Sequence, residues 1–292
     1  MRGVGEATGA ITIVNALPTG VGAAIGIALG ARAEVELHPA GSRGRWDVQL
    51  APEARTPLVI ASLDVALNRY APGSAGTASV SLTCEIPTGR GLKSSSAVSS
   101  ALIGGIAQAT DAAPPPLEVA LLSAEASKAA GVSATGALDD ALAGLSHGVV
   151  VTDNRSGSVL AAYDLPPDLG VALLVPRSTH RPSPEWATAF ARRAESGRIA
   201  VESALRRDWV SAMRANTAIV EEVVGYDYAT LHDELERRGA VASGVSGMGP
   251  AVAAIAATAS LREVAATFPK SLGEVRTAPF SSPAARALGR AP

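Results

Sequence analysis

Apolar and polar residues alternate over several short runs in the first half of the chain, the period-two pattern of half-buried strands. Such runs fall at 11–16, 31–38 and 47–50, and "ASVSLTCEI" alternates Val80, Leu82, Cys84 and Ile86. The spacing changes to that of a helix over 57–70. It does so again at Val98, Leu102, Ile106 and Ala109, and from Leu117 to Gly131. A short helix is predicted to open near Asp139. The stretch "GVVVTDNRSGSVLAAYDL" predicts a hairpin with its turn at 154–157.

"LPPDLG" at 165–170 breaks the pattern, and the strand "VALLVP" follows it. Helices are predicted at 184–196, at 199–225 with a break near Asp208, and at 229–239. A small-residue segment around a glycine turn comes next, then a helix at 260–268 and a last strand at 274–277. The pattern predicts two α+β halves, residues 1–166 and 167–292.

Composition narrows the class. With 292 residues, 47% hydrophobic but only 3% aromatic, the core has to be built from Ala, Val, Leu and Ile. A net charge of −2 argues against a nucleic-acid or membrane-surface protein. One cysteine, Cys84, excludes an intrachain disulfide and a cysteine-rich zinc site, and fits a reducing cytoplasm. The apolar run 11–30 is interrupted by Asn15, Pro18, Thr19 and several glycines. It reads as strand, loop and strand, not as a leader or a membrane helix. His38, His147, His180 and His232 show no close ligand spacing.

Three segments carry candidate chemistry. The first, "EIPTGRGLKSSSAVSSAL", lies between a predicted strand and a predicted helix. It departs from the P-loop pattern, because Leu92 stands where that pattern needs the glycine before the lysine. A helix opening at Ser94–Ser96 would present free N–H groups and its positive dipole end to phosphate. Gly89 and Gly91 would allow close approach, and Lys93, one of three lysines beside 22 arginines, would add charge. The other reading is a glycine turn with a serine cap.

The second segment supplies acids. Glu125 follows Leu121 by four residues and Leu122 by three, so it is placed on their face. It could meet a metal there or pair with Lys128 at the surface. Asp139 and Asp140 stand at a predicted helix start, where the helix dipole alone would favour them. The third segment is "SGVSGMGPAV", a second glycine turn at Gly247 and Gly249, which could simply join two strands. Arg177 and Arg181 in "PRSTHRP" could clamp a carboxylate or face solvent.

"PTGRGLKSSSA", that is Pro87, Thr88, Gly89, Arg90, Gly91, Leu92, Lys93, Ser94, Ser95, Ser96 and Ala97, resembles the central motif of the GHMP kinases. "SGMGPAV" resembles the family's third motif, and Asp139–Asp140 falls where members carry an Asp-Asn pair. The start "ATGAITIVNALPTGVGAAIGIAL" is similar to that of archaeal-type shikimate kinases, as are "GLKSSSAVSSAL" and "TGALDDA". The resemblance implies a two-domain α+β fold, with a ribosomal-protein-S5-like N-terminal part and a ferredoxin-like C-terminal part. It implies ATP and Mg²⁺ as cofactors and a small alcohol, shikimate, as the partner. No nucleic acid or membrane is expected, and a homodimer is allowed.

By the same resemblance, residues 87–97 with Gly247 and Gly249 hold the nucleotide, Ser95 and Glu125 hold Mg²⁺, and Asp139 is the catalytic aspartate. The resemblance also places Asn15 near the substrate; Asp140 could trade roles with Asp139, and Arg177 or Arg181, by their chemistry, could clamp the shikimate carboxylate. Two departures stand out. Mevalonate kinases carry a lysine in the first motif, whereas no lysine precedes Lys93 here, and Asp140 replaces the usual asparagine.

Overall fold

The computed structural model describes residues 1–41, 45–178 and 183–281. Among them the strands form two sheets, and membership changes between Tyr163 and Leu169. In the first sheet, β1 (Arg2–Val14) and β2 (Val21–Gly41) make a long antiparallel pair. β4 (Ala75–Cys84) pairs with the later half of β2 and carries β3 (Trp46–Gln49) in parallel at the edge. β5 (Val149–Asp153) pairs with the start of β2, and β6 (Ser158–Tyr163) completes that side. The hairpin turn between β5 and β6 falls where the sequence predicts it.

β1 and β2 run well beyond the predicted 11–16 and 31–38. Their buried positions include Ala7, Ala23, Ala31 and Ala33 on one face and Ala10 and Ala24 on the other, both faces being covered there. Alanine gives little hydropathy contrast with neighbouring glycine and threonine, so the alternation is faint. Four helices of this half pack on the sheet and on one another: α1 (Pro57–Tyr70), α2 (Ser94–Ala109), α3 (Pro116–Ala129) and α4 (Leu138–Ala143). The Thr56 hydroxyl caps α1 by accepting from the Val59 N–H at 3.3 Å.

The second sheet is antiparallel, in the order β10-β7-β9-β8. Its strands are β7 (Leu169–Pro176), β8 (Ala240–Val245), β9 (Val252–Ala257) and β10 (Gly273–Pro279). Helices fill the β7–β8 connection, and α9 (Leu261–Thr267) fills β9–β10. This is the ferredoxin-like arrangement. The β7–β8 connection holds α5 (Pro184–Ala191), α6 (Ala194–Leu205), α7 (Trp209–Val224) and α8 (Ala229–Arg237). The predicted helix at 184–196 therefore breaks at Arg192–Arg193. The predicted break near Asp208 is a helix start, where its carboxylate accepts from the Ser211 N–H at 3.1 Å.

One hydrophobic cluster runs through both halves, from Ile11, Ile25 and Leu102 to Leu173, Met213 and Ile255. Among the described residues, no helix is long and apolar enough to cross a membrane.

Candidate active site

The phosphate-loop segment leaves β4 and enters α2. Lys93 is the N-cap residue of α2 and sits in the left-handed region, φ 66°, a conformation that costs a non-glycine residue about 1–2 kcal/mol. No side chain caps this helix. The Ala97 N–H donates to the Lys93 carbonyl at 3.0 Å, so the N–H groups of Ser94, Ser95 and Ser96 precede the first intrahelical bond. Free N–H groups at a helix N-terminus can receive an anion. The serine-cap reading is thereby set aside.

A clasp holds the loop in place. Gly91 has φ +83°, and a Cβ there would stand 2.0 Å from the Ser246 carbonyl oxygen. The buried Ser246 hydroxyl donates to the Gly91 carbonyl at 2.7 Å and accepts from the Thr12 N–H at 3.2 Å. The Gly247 N–H donates to Thr12 Oγ1 at 2.9 Å, and the Ala251 N–H to the Arg90 carbonyl at 3.1 Å. The glycine turn between β8 and β9 thus joins two strands and also fixes the loop against β1.

A cleft of about 580 Å³ opens beside this clasp. Gly89, Gly91 and Lys93–Ser96 line it, together with Asn15, Asp139, Asp140, Gly247 and Gly249. Among the described residues, Lys93 is the one cationic side chain in its wall. Its Nζ lies 3.1 Å from Asp140 Oδ1, with both side chains little exposed (11% and 14%). The contact is off the hydrogen-bonding direction, so Asp140 Oδ1 has a charge partner but no hydrogen bond.

Asp139 is buried beside this pair. Its Oδ1 accepts from Asn154 Nδ2 at 2.8 Å, and Asn154 Oδ1 accepts from the Thr152 hydroxyl at 2.6 Å. Burial, and then the neighbouring Asp140 carboxylate, push the Asp139 carboxyl up to about 7; the Asn154 amide and the Lys93 ammonium pull it partly back. A carboxyl poised there can take a proton from an alcohol near neutral pH. The arrangement is an uncapped helix N-terminus and a buried, raised carboxyl lining one cleft.

Not every expected residue reaches the cleft. Leu92 and Ala97 are buried in the core beneath the loop, and Pro87, Thr88 and Arg90 do not line the cavity. Arg90 Nη2 instead donates to the Arg177 carbonyl at 2.9 Å. Arg177 is exposed, donates to the Ser271 carbonyl at 3.1 Å and stays outside the cleft wall. Arg181 lies outside the described residues.

Glu125 needs correction: it is exposed and does not line the cleft. The buried face of α3 runs through Val119, Ala120, Ser123, Ala124, Ala126 and Ser127, while Leu121 is 39% exposed. The leucines therefore set the wrong helical phase, and Ser127 faces the cleft instead. In the sequence Asn154 marks only the start of a turn. Its burial beside Asp139 has no local signal, because the two residues meet only through the fold.

The family described as GHMP kinases N terminal domain matches residues 58–148, from α1 to the start of β5. Among solved structures, the fold superposes on Methanococcus jannaschii mevalonate kinase with a TM-score of 0.72 at 12% identity, covering 97% of this chain and 99% of that one. A homoserine kinase from Cytophaga hutchinsonii gives a TM-score of 0.68 at 16% identity, with 96% of each chain covered. The fold is thus that of the GHMP kinases, and residues 58–148 carry their N-terminal domain.

Shikimate kinases are much more similar in sequence. That of Pyrococcus furiosus is 37% identical over 255 residues, 87% of this chain and 92% of its own. That of Thermococcus kodakarensis is 38% identical over 250 residues (86% and 90%), and that of Methanosarcina acetivorans 33% over 258 (88% and 86%). The chain belongs to this archaeal-type shikimate kinase family within the GHMP kinases.

Proposed function

We propose that the protein transfers the γ-phosphoryl group of ATP to the 3-hydroxyl of shikimate, giving shikimate 3-phosphate and ADP. The observation that carries this reading is the uncapped end of α2 and the buried Asp139 lining one cleft. The N–H groups of Ser94–Ser96, with Gly89 and Gly91, cradle the phosphates. Lys93 and the α2 dipole offset the charge that develops in transfer. Asp139 accepts the 3-hydroxyl proton as that oxygen bonds to the γ-phosphorus and the bond to the ADP oxygen breaks. Asn15, Ser133 and Thr135 offer polar groups for the acceptor's hydroxyls, beside the apolar Leu17, Val132 and Trp186.

Magnesium enters as part of the Mg-ATP substrate. Among the described residues no group of three His, Cys, Asp or Glu side chains could hold a metal alone. This fits an ion that keeps phosphate and water ligands and takes few from protein. The Ser95 hydroxyl, exposed in the cleft wall at the helix start, is the protein ligand we assign. We assign residues 1–166 to the unit carrying the phosphate loop and both acids, and 167–292 to the unit supplying the glycine clasp. A reducing cytoplasm is the setting that a single cysteine favours.

The test is ADP release with Mg-ATP and shikimate, homoserine, mevalonate or no acceptor. Stimulation by shikimate alone is the expected result. Turnover with another alcohol and none with shikimate would overturn the substrate while leaving the site in place.

A further inference from the structure

Asn154 is 4% exposed, although it opens the β5–β6 turn, where an asparagine ordinarily faces water. Its backbone N–H donates to the Gly20 carbonyl at 2.9 Å, which holds the turn against the entry to β2. Its side chain turns inward and spends both polar ends on the site. The Nδ2 amide donates to Asp139 Oδ1 at 2.8 Å and reaches Thr135 Oγ1 at 3.5 Å. The Oδ1 oxygen accepts from the Thr152 hydroxyl at 2.6 Å.

Thr152 is fully buried and sits across from Gly22 in the β2–β5 ladder. A hydroxyl that donates to the amide oxygen leaves the amide nitrogen facing the carboxylate. Gly22 forms the other wall, since a Cβ there would stand 2.3 Å from Asp139 Oδ2. The carboxylate is therefore held between a bare backbone and one neutral side-chain donor whose orientation is locked from behind.

We infer that Asn154, locked by Thr152, is the positioning residue of the Asp139 carboxylate. It fixes which way the carboxylate faces without adding a counter-charge, a task that in this cleft Lys93 performs for Asp140. The charged groups acting on Asp139 are Asp140 of α4 and Lys93 of the phosphate loop. On the β5–β6 turn, Asp153 accepts from the Arg155 and Ser156 N–H groups and Arg155 is exposed; Lys128 of α3 is also exposed. The inference rests on the reading of Asp139 as the proton acceptor.

The test compares Asn154→Ala, Thr152→Val and Thr152→Ser with the parent chain. Loss of a hydrogen bond to a charged group is expected to raise the Asp139 carboxyl by about one pH unit in Asn154→Ala. The same direction is expected, to a smaller extent, in Thr152→Val, with recovery in Thr152→Ser. Carbon-13 NMR of aspartate-labelled protein reads this without any substrate, with Asp139→Asn assigning the signal. In kinetics, kcat should fall on the order of tenfold or more, KM for Mg-ATP should hold, and the acid limb should move to higher pH. An unmoved Asp139 titration in both Asn154→Ala and Thr152→Val overturns the inference, whatever happens to kcat. A moved titration with full turnover in Asp139→Asn overturns instead the role given to Asp139, and with it the functional meaning of Asn154.

Discussion

Replacing Asp139 by Asn is expected to make the folded chain more stable while nearly abolishing turnover. Burial and the adjacent Asp140 hold the carboxyl at about 7, against 3.8 in a free side chain. The ionised form is thus about 4 kcal/mol less favourable in the folded state than in the unfolded chain. The folded chain binds the extra proton between those two values, so its stability falls as pH rises through that window. About 2 kcal/mol of the loss falls between about pH 5.5 and pH 8. An asparagine is neutral throughout, and its carbonyl can still accept from Asn154.

Urea unfolding followed by circular dichroism, without nucleotide, measures this at both pH values. The carboxylates held low by partners, Asp153, Asp208, Glu222, Glu234 and Glu274, lose stability only toward acid. They are common to both proteins and cancel in the difference. Asp139→Asn should exceed the parent by about 2–4 kcal/mol at pH 8 and by about 2 kcal/mol less at pH 5.5. Its kcat should drop on the order of 10²-fold or more. Two parallel stability curves, or a variant weaker than the parent at pH 8, would refute the assignment of Asp139 as a carboxyl destabilised by its site.

Three further substitutions probe the surrounding frame. Gly22→Ala puts a Cβ 2.3 Å from Asp139 Oδ2 and should cost on the order of 10² in kcat by misplacing the carboxylate, with ATP binding by calorimetry retained. Lys93→Met leaves Asp140 in the cleft without its partner and should lower unfolding stability by about 3 kcal/mol; a loss under about 0.5 kcal/mol would show the pair to be worth no more than a surface one. Ser246→Ala removes the bonds to Gly91 and Thr12, about 1–2 kcal/mol of stability, and should raise KM for Mg-ATP severalfold in steady-state kinetics.

How much of this was legible in the sequence depended on distance along the chain. The order of strands and helices, the β5–β6 turn and the phosphate loop are local patterns, and each appears close to its predicted place. So does the pairing of a glycine-serine loop with two acids at a helix start. What the pattern missed is carried by small residues. Alanine and glycine on the inner faces of β1 and β2 blurred the alternation and shortened both predicted strands. On α3 the buried stripe consists largely of Ala120, Ser123, Ala124, Ala126 and Ser127. Reading its phase from Leu121 and Leu122 turned Glu125 inward on paper and outward in the fold.

The site itself shows a second limit. The clasp joins Thr12, Gly91 and Ser246, and the cradle joins Gly22, Asp139 and Asn154; each draws on three separate segments. No spacing rule connects residues so far apart, so only the folded sheet reveals them. Lys93 lies between the two cases. Its place before the serines suggested phosphate, whereas its left-handed backbone and the 3.1 Å approach to Asp140 turn its charge toward the acids. In the proposed reaction this one lysine would serve both the phosphates and the acids. As phosphoryl transfer moves charge from the terminal phosphate toward ADP, a cation already held by Asp140 needs little reorganisation to stabilise it. The strained backbone at residue 93 is consistent with a side chain whose position matters more to this fold than its local comfort.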